Sequence, residues 1–344
     1  MTVWHIVTGL QQPSGVATFV THLVDELARL GHEVRVITRA HDLGHAIPLR
    51  ARVHLHGLWT PWLHRWSVAA HRQGIPVVWS THGMTAPWSM AHKRWKKMLP
   101  WWLYQKHDLA SAALLHATTE QEAEWNRQLG FSNPQCVIPL GTELPQIIQE
   151  GSDCSVGRTT GQCPLRVLFV GRIYPVKGLM NVVRAAVQLK GLPIRFRLVG
   201  PDQAGHQAEL QDEAERSGVA AFFDWAGPKY GADLAAEYAA CDLLMLPSFT
   251  ENFGATVVDA LAYGKPVLAS RQTPWAVLSE RRCGWWVDNA PENLARAFRT
   301  IAELPREDLR AMGSRGRALV EERYTWRRVG ERMLEAYQTL HKDD

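Results

Sequence analysis

Apolar residues recur along the chain in two alternating rhythms. Short runs such as VWHIVT (3–8), EVRVIT (33–38), RVHLHG (52–57), IPVVWS (75–80), ALLHAT (113–118) and QCVIP (135–139) read as strands. They are dense in β-branched and aliphatic residues, as strands covered on both faces require. Between them the apolar positions fall three and four apart. Phe19, Leu23, Leu27 and Leu30 line one side of a helix over 16–30, which Gly31 stops. Further helices are expected around 61–73, 90–110 and 119–129, the last opened by Thr119 with Glu122 three residues on, a capping-box pattern. Such alternation predicts a parallel, doubly wound sheet.

The rhythm lapses over ELPQIIQEGSDCSVGRTTGQCP (143–164), rich in Gly, Ser and Thr, and then resumes. Strands are expected at 165–171, 194–200, 220–225, 242–247, 266–270 and 284–287, with helices between them and closing the chain from 291 to 341. The expected organisation is one α/β domain over 1–150, a linker over 151–164 and a second α/β domain over 165–325. Two such units create one cleft between them, a favoured place for a ligand.

The length of 344 residues agrees with two domains, and 46% apolar content is enough for sizeable cores. Five scattered cysteines (Cys136, Cys154, Cys163, Cys241, Cys283), with no C-x-x-C, fit a reducing compartment and no zinc site. No apolar run approaches membrane-spanning length, and MTVWHIVTGL lacks the build of a signal peptide, so a cytoplasmic location is expected. The net charge of +4 is uneven. Between Leu43 and His107 there is no Asp or Glu, against nine of the 38 Lys/Arg and eight His. That stretch points to an anionic surface or substrate.

Two segments carry candidate chemistry. In VGRIYPVKG (170–178), Arg172 and Lys177 follow a strand end and precede a helix, where a planar fork and a point charge suit a diphosphate. The bland alternative for both is a solvated loop charge. In TENFGATVVDALA (250–262), Glu251 lies between the buried run DLLMLPSF and an apolar helix that Gly254 opens, with Asp259 eight residues further on. Ligands of open α/β sheets bind where strands end and helices begin. Residues eight apart on a helix are rotated by roughly 80°, so both acids can border one elongated ligand. Amides at Phe253 and Gly254, backed by the helix dipole, suit an anion between them.

The segments GRIYPVKG, LVGPD and LPSFTENFGATVVDALAYGKPVLAS together resemble the donor-binding half of the retaining glycosyltransferases of family 4. In the first half, PSGVATFVTHLVDELARLGHEVRVIT, THGM and LHATTEQE resemble the glycine-loop opening and recurrent segments of polysaccharide-assembly members. The resemblance implies the GT-B fold: two Rossmann-like doubly wound domains facing a central cleft, with a final helix over 326–344 packing back on the first. It implies Arg172 and Lys177 on the donor diphosphate, Glu251 on the transferred sugar, Asn252, Phe253 and Gly254 presenting backbone amides, and Asp259 at the ribose. Ser14 and Gly15 would lie near the phosphates, and His82 near the donor sugar and the reacting centre. It further implies a hexose-type donor carried on a nucleoside diphosphate, a glycan or lipid-linked glycan acceptor, no cofactor, no metal and no protein nucleophile. The chain departs from the family twice. Asp259 stands where the family has Glu, which moves the carboxylate by more than ~1 Å, and Ser14 stands where the opening loop often has a second glycine.

Other features stay open at this level. His54 and His56 share one face of a strand, but no third ligand is apparent nearby, so packing is preferred over a metal site. In AHKRWKKMLPWWLYQKH (91–107), Lys93, Arg94, Lys96 and Lys97 alternate with Trp95, Met98, Leu99, Trp101, Trp102 and Leu103, as on a helix lying on anionic lipid. Peripheral attachment to the inner face of the cell membrane is the expectation there, against an ordinary amphipathic helix; Pro100 argues against one uninterrupted helix. No nucleic-acid module accompanies the charge, so nucleic acid is not an expected partner. Trp59, Trp62, Trp88 and the tryptophan of TPWAVL (273–278) are candidates for stacking on sugar. Alternatives to a transferase are a non-catalytic sugar-nucleotide-binding subunit and a nucleotide-sugar epimerase. A dinucleotide-dependent oxidoreductase is disfavoured, because TGLQQPSG is no G-x-G-x-x-G.

Overall fold

The computed structural model describes residues 1–10, 15–38, 47–146 and 164–340. Ser14, Cys154, Cys163 and all of the expected linker except Pro164 lie outside the described residues. The chain divides into two compact units, Met1–Gly141 with Tyr324–Asp344, and Thr142–Arg323.

In the first unit six parallel strands, β1 (Thr2–Val7), β2 (Glu33–Ile37), β3 (Ala51–His56), β4 (Val77–Ser80), β5 (Leu114–Ala117) and β6 (Gln135–Val137), form a sheet in the order β2-β1-β3-β4-β5-β6. Every residue of β3, β4 and β5 is buried; β4 and β5 accordingly read as nearly continuous apolar runs, whereas β3 alternates Val53 and Leu55 with Arg52, His54 and His56. Helices cover both faces. On one, Phe19, Leu23 and Leu27 of helix Gly15–Arg29 pack with Trp326, Val329, Met333 and Tyr337 of helix Trp326–Thr339. Each such side chain contributes about 1.5–3 kcal/mol by leaving water. On the other face Leu55, Leu63, Trp66, Trp79 and Leu109 make a second cluster.

The second unit repeats the design with β7 (Leu165–Val170), β8 (Ile194–Val199), β9 (Phe223–Gly227), β10 (Leu243–Leu246), β11 (Val267–Ser270) and β12 (Gly284–Val287), all parallel. Their order, β12-β11-β10-β7-β8-β9, reverses direction between β7 and β10. Its core gathers Phe169, Val182, Phe196, Leu198, Leu294 and Phe298.

Two expected elements differ. The helix expected at 90–110 is a relay of pieces: Pro87–Ala91, Arg94–Pro100, a wide π-helical turn Trp101–Gln105, and Lys106–Ser111. Pro100 keeps helical angles but offers no N–H, and the wide turn follows it directly. The strand expected at 220–225 begins only at Phe223, because Ala220–Phe222 forms a 3₁₀ turn.

Candidate active site

In an open parallel sheet the crevice forms at the carboxyl ends of the strands where the order reverses, since the connections there leave in opposite directions. In the second unit this is the end of β7 and β10, and the polar residues that follow those two strands include Arg172 and Lys177, and Ser248 and Glu251. Lys177 ends a 3₁₀ turn, Pro175–Lys177, that Gly178 closes with φ of +71°. A Cβ on Gly178 would lie 2.0 Å from the Pro247 carbonyl oxygen, so only glycine lets the two loops meet. Lys177 Nζ donates to Glu251 Oε1, and Ser248 Oγ donates to the same oxygen at 2.8 Å. The pair is largely shielded, with side chains 17% and 13% exposed. Arg172 is exposed, and its Nη1 donates to Gln203 Oε1 at 2.7 Å.

The turn after Glu251 is braced from beneath. Phe253 is buried against Trp275, whose indole N–H donates to the Phe253 carbonyl. Trp275 is fully buried, so the expectation of a sugar-stacking platform at TPWAVL is corrected: this indole holds the loop. Gly254 has φ of +85° and caps helix Ala255–Ala262; a Cβ there would meet Leu246 Cδ2 at 2.9 Å. Asp259, on that helix, accepts from Thr142 Oγ1 at 2.7 Å. Burial pushes its carboxyl up to about 6, against the pull of Thr142 and the adjacent Tyr238. Ser248 and Thr142 were missed by sequence reasoning, and Trp275 was singled out for a different role. Ser248 alone had a local signal, three residues before Glu251.

In the first unit the order reverses between β1 and β3, and there the interior is packed with imidazole. His5 is paired in register with His54, and Val7 with His56. Five rings converge: His5, His54, His56, His116 and, on the loop after β4, His82. The absence of a third imidazole beside His54 and His56 is thereby corrected. His5 brings a ligand atom within 4.8 Å of theirs, and it escaped notice because it sits 49 residues upstream of His54 on a different strand.

One branch of this cluster has a fixed polarity. The Ile138 carbonyl can only accept, so His116 Nε2 carries the proton of that 2.8 Å bond. His116 Nδ1 is then an acceptor, and Ser80 Oγ donates to it at 2.6 Å. Having given its proton, Ser80 accepts from His54 Nε2 at 2.6 Å, which leaves His54 Nδ1 to accept from the Tyr337 hydroxyl at 2.6 Å. Both nitrogens of His54 are therefore in use, and neither has a lone pair left for a cation. Burial is the main cause holding His5 down to about 3 and His82 down to about 4, and it lowers His54, His56 and His116 as well.

His82 itself has φ of +49°, rare for a residue with a side chain. Both neighbours are tied to one carboxylate: Thr81 Oγ1 donates to Glu122 Oε1 at 2.6 Å, and the Gly83 amide donates to the same oxygen. Thr118 supplies two more bonds at 2.7 Å from its amide and hydroxyl. Burial alone would raise the Glu122 pKa, but these donors outweigh it and lower it. The capping box is half formed: Thr119 Oγ1 accepts from the Glu122 amide at 3.1 Å, while the Glu122 carboxylate turns to Thr81, Gly83 and Thr118. Gly15 opens helix Gly15–Arg29, and a Cβ there would meet nothing within 4 Å. Trp62 lies on helix Pro61–Arg72 and packs with Trp59 against the core; Trp88, on helix Pro87–Ala91, is exposed.

Two doubly wound α/β units, each with a parallel six-stranded sheet whose strand order reverses once, are the arrangement of the GT-B class. The chain matches the family model described as glycosyl transferases group 1 over residues 162–319, and a glycosyl transferase 4-like domain over 51–141. It is 30% identical over 309 residues to a D-inositol 3-phosphate glycosyltransferase of Segniliparus rotundus, covering 86% of this chain and 68% of the relative. A protein of the same description from Rhodococcus erythropolis is 28% identical over 296 residues, with 79% of this chain aligned to 64% of that one. The chain thus spans about two thirds of the length of these relatives. In fold it is similar to sucrose-phosphate synthase from Thermosynechococcus elongatus, with a TM-score of 0.75, 19% identity and full coverage of both chains. It is also similar to Anabaena HepE in complex with UDP-glucose, with a TM-score of 0.72, 17% identity, and coverage of 98% of this chain and 100% of that one. The chain belongs to glycosyltransferase family 4 and has the GT-B fold.

Proposed function

We propose that the protein is a retaining, metal-independent hexosyltransferase that moves a sugar from a nucleoside diphosphate to a glycan or lipid-linked glycan in cell-surface polysaccharide synthesis. The observation that carries the reading is the Lys177–Glu251 pair, oriented by Ser248, at the reversal point of a sheet whose neighbouring loop carries Arg172. Without a ligand the two charges compensate each other. An incoming donor replaces that pairing with two others, diphosphate on Lys177 and Arg172, and sugar hydroxyls on Glu251. Charge grows on the diphosphate as the glycosidic bond breaks, and the two cations stabilise it most at that moment, which lowers the barrier. The departing phosphate oxygen takes the acceptor's proton on the face it leaves, so the anomeric configuration is retained without a protein nucleophile. Asn252, Phe253 and Gly254 present the turn's amides, Asp259 meets the ribose, and Ser14, Gly15 and His82 serve the phosphates and the transferred sugar. HepE, with the same fold, is described as a complex with UDP-glucose, which supports a nucleotide-sugar donor.

The acceptor side is assigned to a surface on anionic membrane. Trp95, Leu99, Trp102 and Leu103 are 75%, 67%, 66% and 70% exposed, interleaved with Lys93, Arg94, Lys96 and Lys106. A groove of about 370 Å³ lined by Met90, Met98, Trp101 and Trp102, with Arg94 and Lys97, adjoins them. No helix among the described residues is long and apolar enough to cross a membrane. Incubation with UDP-, GDP- and ADP-sugars and a lipid extract tests the reading. Release of nucleoside diphosphate coupled to a glycosylated lipid is expected. Saturable donor binding with no transfer would favour the binding subunit, and isomerised donor without acceptor would favour the epimerase.

A further inference from the structure

The second branch of the histidine cluster is a chain of three rings. His5 Nδ1 lies 2.9 Å from His56 Nε2, and His56 Nδ1 lies 3.1 Å from His82 Nε2. Neutral imidazole has one N–H and one lone pair, so each contact needs a donor on one side and an acceptor on the other. Only two arrangements satisfy both contacts. In one, protons run outward, from His5 Nδ1 to His56 Nε2 and from His56 Nδ1 to His82 Nε2. In the other every proton is reversed.

The two differ at the inner end. His5 Nε2 is buried without a partner among the described residues. The reversed chain leaves an N–H there, and the outward chain leaves a lone pair. A buried N–H without an acceptor is the rarer defect in folded proteins. From this we infer that His5 and His56 fix His82 as the Nδ1–H tautomer, with Nε2 occupied, so that His82 offers substrate a hydrogen-bond donor and no base.

The rest of the site agrees with a fixed ring. The strained backbone of His82 is held on both sides through Glu122, and Phe19 packs edge-on against the imidazole with centroids 5.3 Å apart. His54 cannot compete for His56, since both its nitrogens are taken by Ser80 and Tyr337. His5 and His56 are therefore positioning residues that act through His82. The oxygen that would receive the His82 proton belongs to the donor's sugar or phosphate, a consequence that rests on the transferase reading. The tautomer itself does not rest on it.

The test is the nitrogen-15 spectrum of the full-length protein labelled at histidine, recorded without sugar nucleotide, with His82 assigned by loss of its signals in His82→Asn. A protonated, pyrrole-like Nδ1 and a pyridine-like Nε2 at His82 are expected. The opposite assignment overturns the inference. His56→Asn keeps a donor near the position of the His56 Nδ1–H and retains the His82 pattern, whereas His56→Phe loses it and lets the two tautomers exchange. An unchanged His82 spectrum in folded His56→Phe also overturns it. The assigned wild-type spectrum decides the matter even if His56→Asn or His56→Phe does not fold. A failed transfer assay leaves the spectrum untouched, so the inference and the proposed function fail separately.

Discussion

Lys177 and Glu251 were legible as separate candidates from their places after two strands, but not as partners. Seventy-three residues separate them along the chain, and only the reversal of strand order brings their loops together. Their pairing shapes the expected phenotype. Replacing Lys177 with Ala leaves Glu251 with Ser248 and, under the proposed function, removes a cation from the leaving group; a loss of ~10²–10³-fold in kcat/KM or more is expected, as for removal of one preorganised donor. Glu251→Ala should lose transfer to the same degree, while circular dichroism shows both variants folded. Wild-type rates in either would remove the residue from the site. Asp259 poses a different question, because burial works against its charge. The folded protein holds this proton up to about pH 6, whereas an unfolded chain releases it near the ordinary 3.8. The contribution to stability is therefore greatest below pH 4 and is lost as pH rises through 6, a cost of about 3 kcal/mol at neutral pH. Asp259→Asn, which still accepts from Thr142, is expected to flatten this dependence and raise stability at pH 7 while weakening nucleotide binding. Urea titrations at pH 4 and 7 measure the first effect and calorimetry with nucleotide the second.

At the scale of elements, strands such as β4, β10 and β11 were readable because full burial produces short apolar runs, whereas β2 and β8 were readable from alternating polar and apolar positions. The exceptions have local causes: a proline followed by a π turn at 100–105, and a 3₁₀ turn displacing the start of β9. What no single segment displays is the polar filling between β1 and β3. His5, His54 and His56 sit in strands that otherwise read as core, and their meaning comes from register across β1, β3 and β4. Five neutral imidazoles inside one layer make a prediction. Each has a folded pKa below the ordinary 6.5, so unfolded chains take up protons first as the solution is acidified. Stability contributed by the cluster is complete above pH 7 and falls from about 6.5 downward, as the unfolded chain gains protons that the buried rings refuse. The first unit, including helix Trp326–Thr339 through Tyr337, should lose resistance to urea as pH falls below about 6.5. His54→Asn should reduce the slope, and an unchanged slope would mean that the rings do not act together.

For the whole molecule the informative quantity is where charge lies rather than how much there is. A stretch of 65 residues without a carboxylate, 43–107, is not a simple basic face: Arg52 is buried, its Nε donating to the Tyr337 carbonyl at 3.0 Å, and His54 and His56 are interior. The cations left at the surface concentrate around 93–106, where the aromatic side chains are also exposed. Burying Trp95, Leu99, Trp102 and Leu103 in an interface contributes an apolar term that salt leaves alone, and each Lys or Arg adds about 1 kcal/mol near an anionic surface, which salt screens. The two terms separate experimentally. Cosedimentation with vesicles rich in phosphatidylglycerol is expected to weaken as salt rises, yet not to vanish. Lys93→Glu with Lys96→Glu and Lys97→Glu should abolish the salt-sensitive part, whereas Trp95→Ser with Trp102→Ser should remove the residue that survives high salt. Unchanged binding in both would return 91–107 to the role of an ordinary amphipathic segment. Because Arg172, Lys177 and Glu251 are untouched in these variants, transfer to a water-soluble acceptor should persist where transfer to a lipid-linked one fails, which assigns the surface to acceptor capture rather than to donor chemistry.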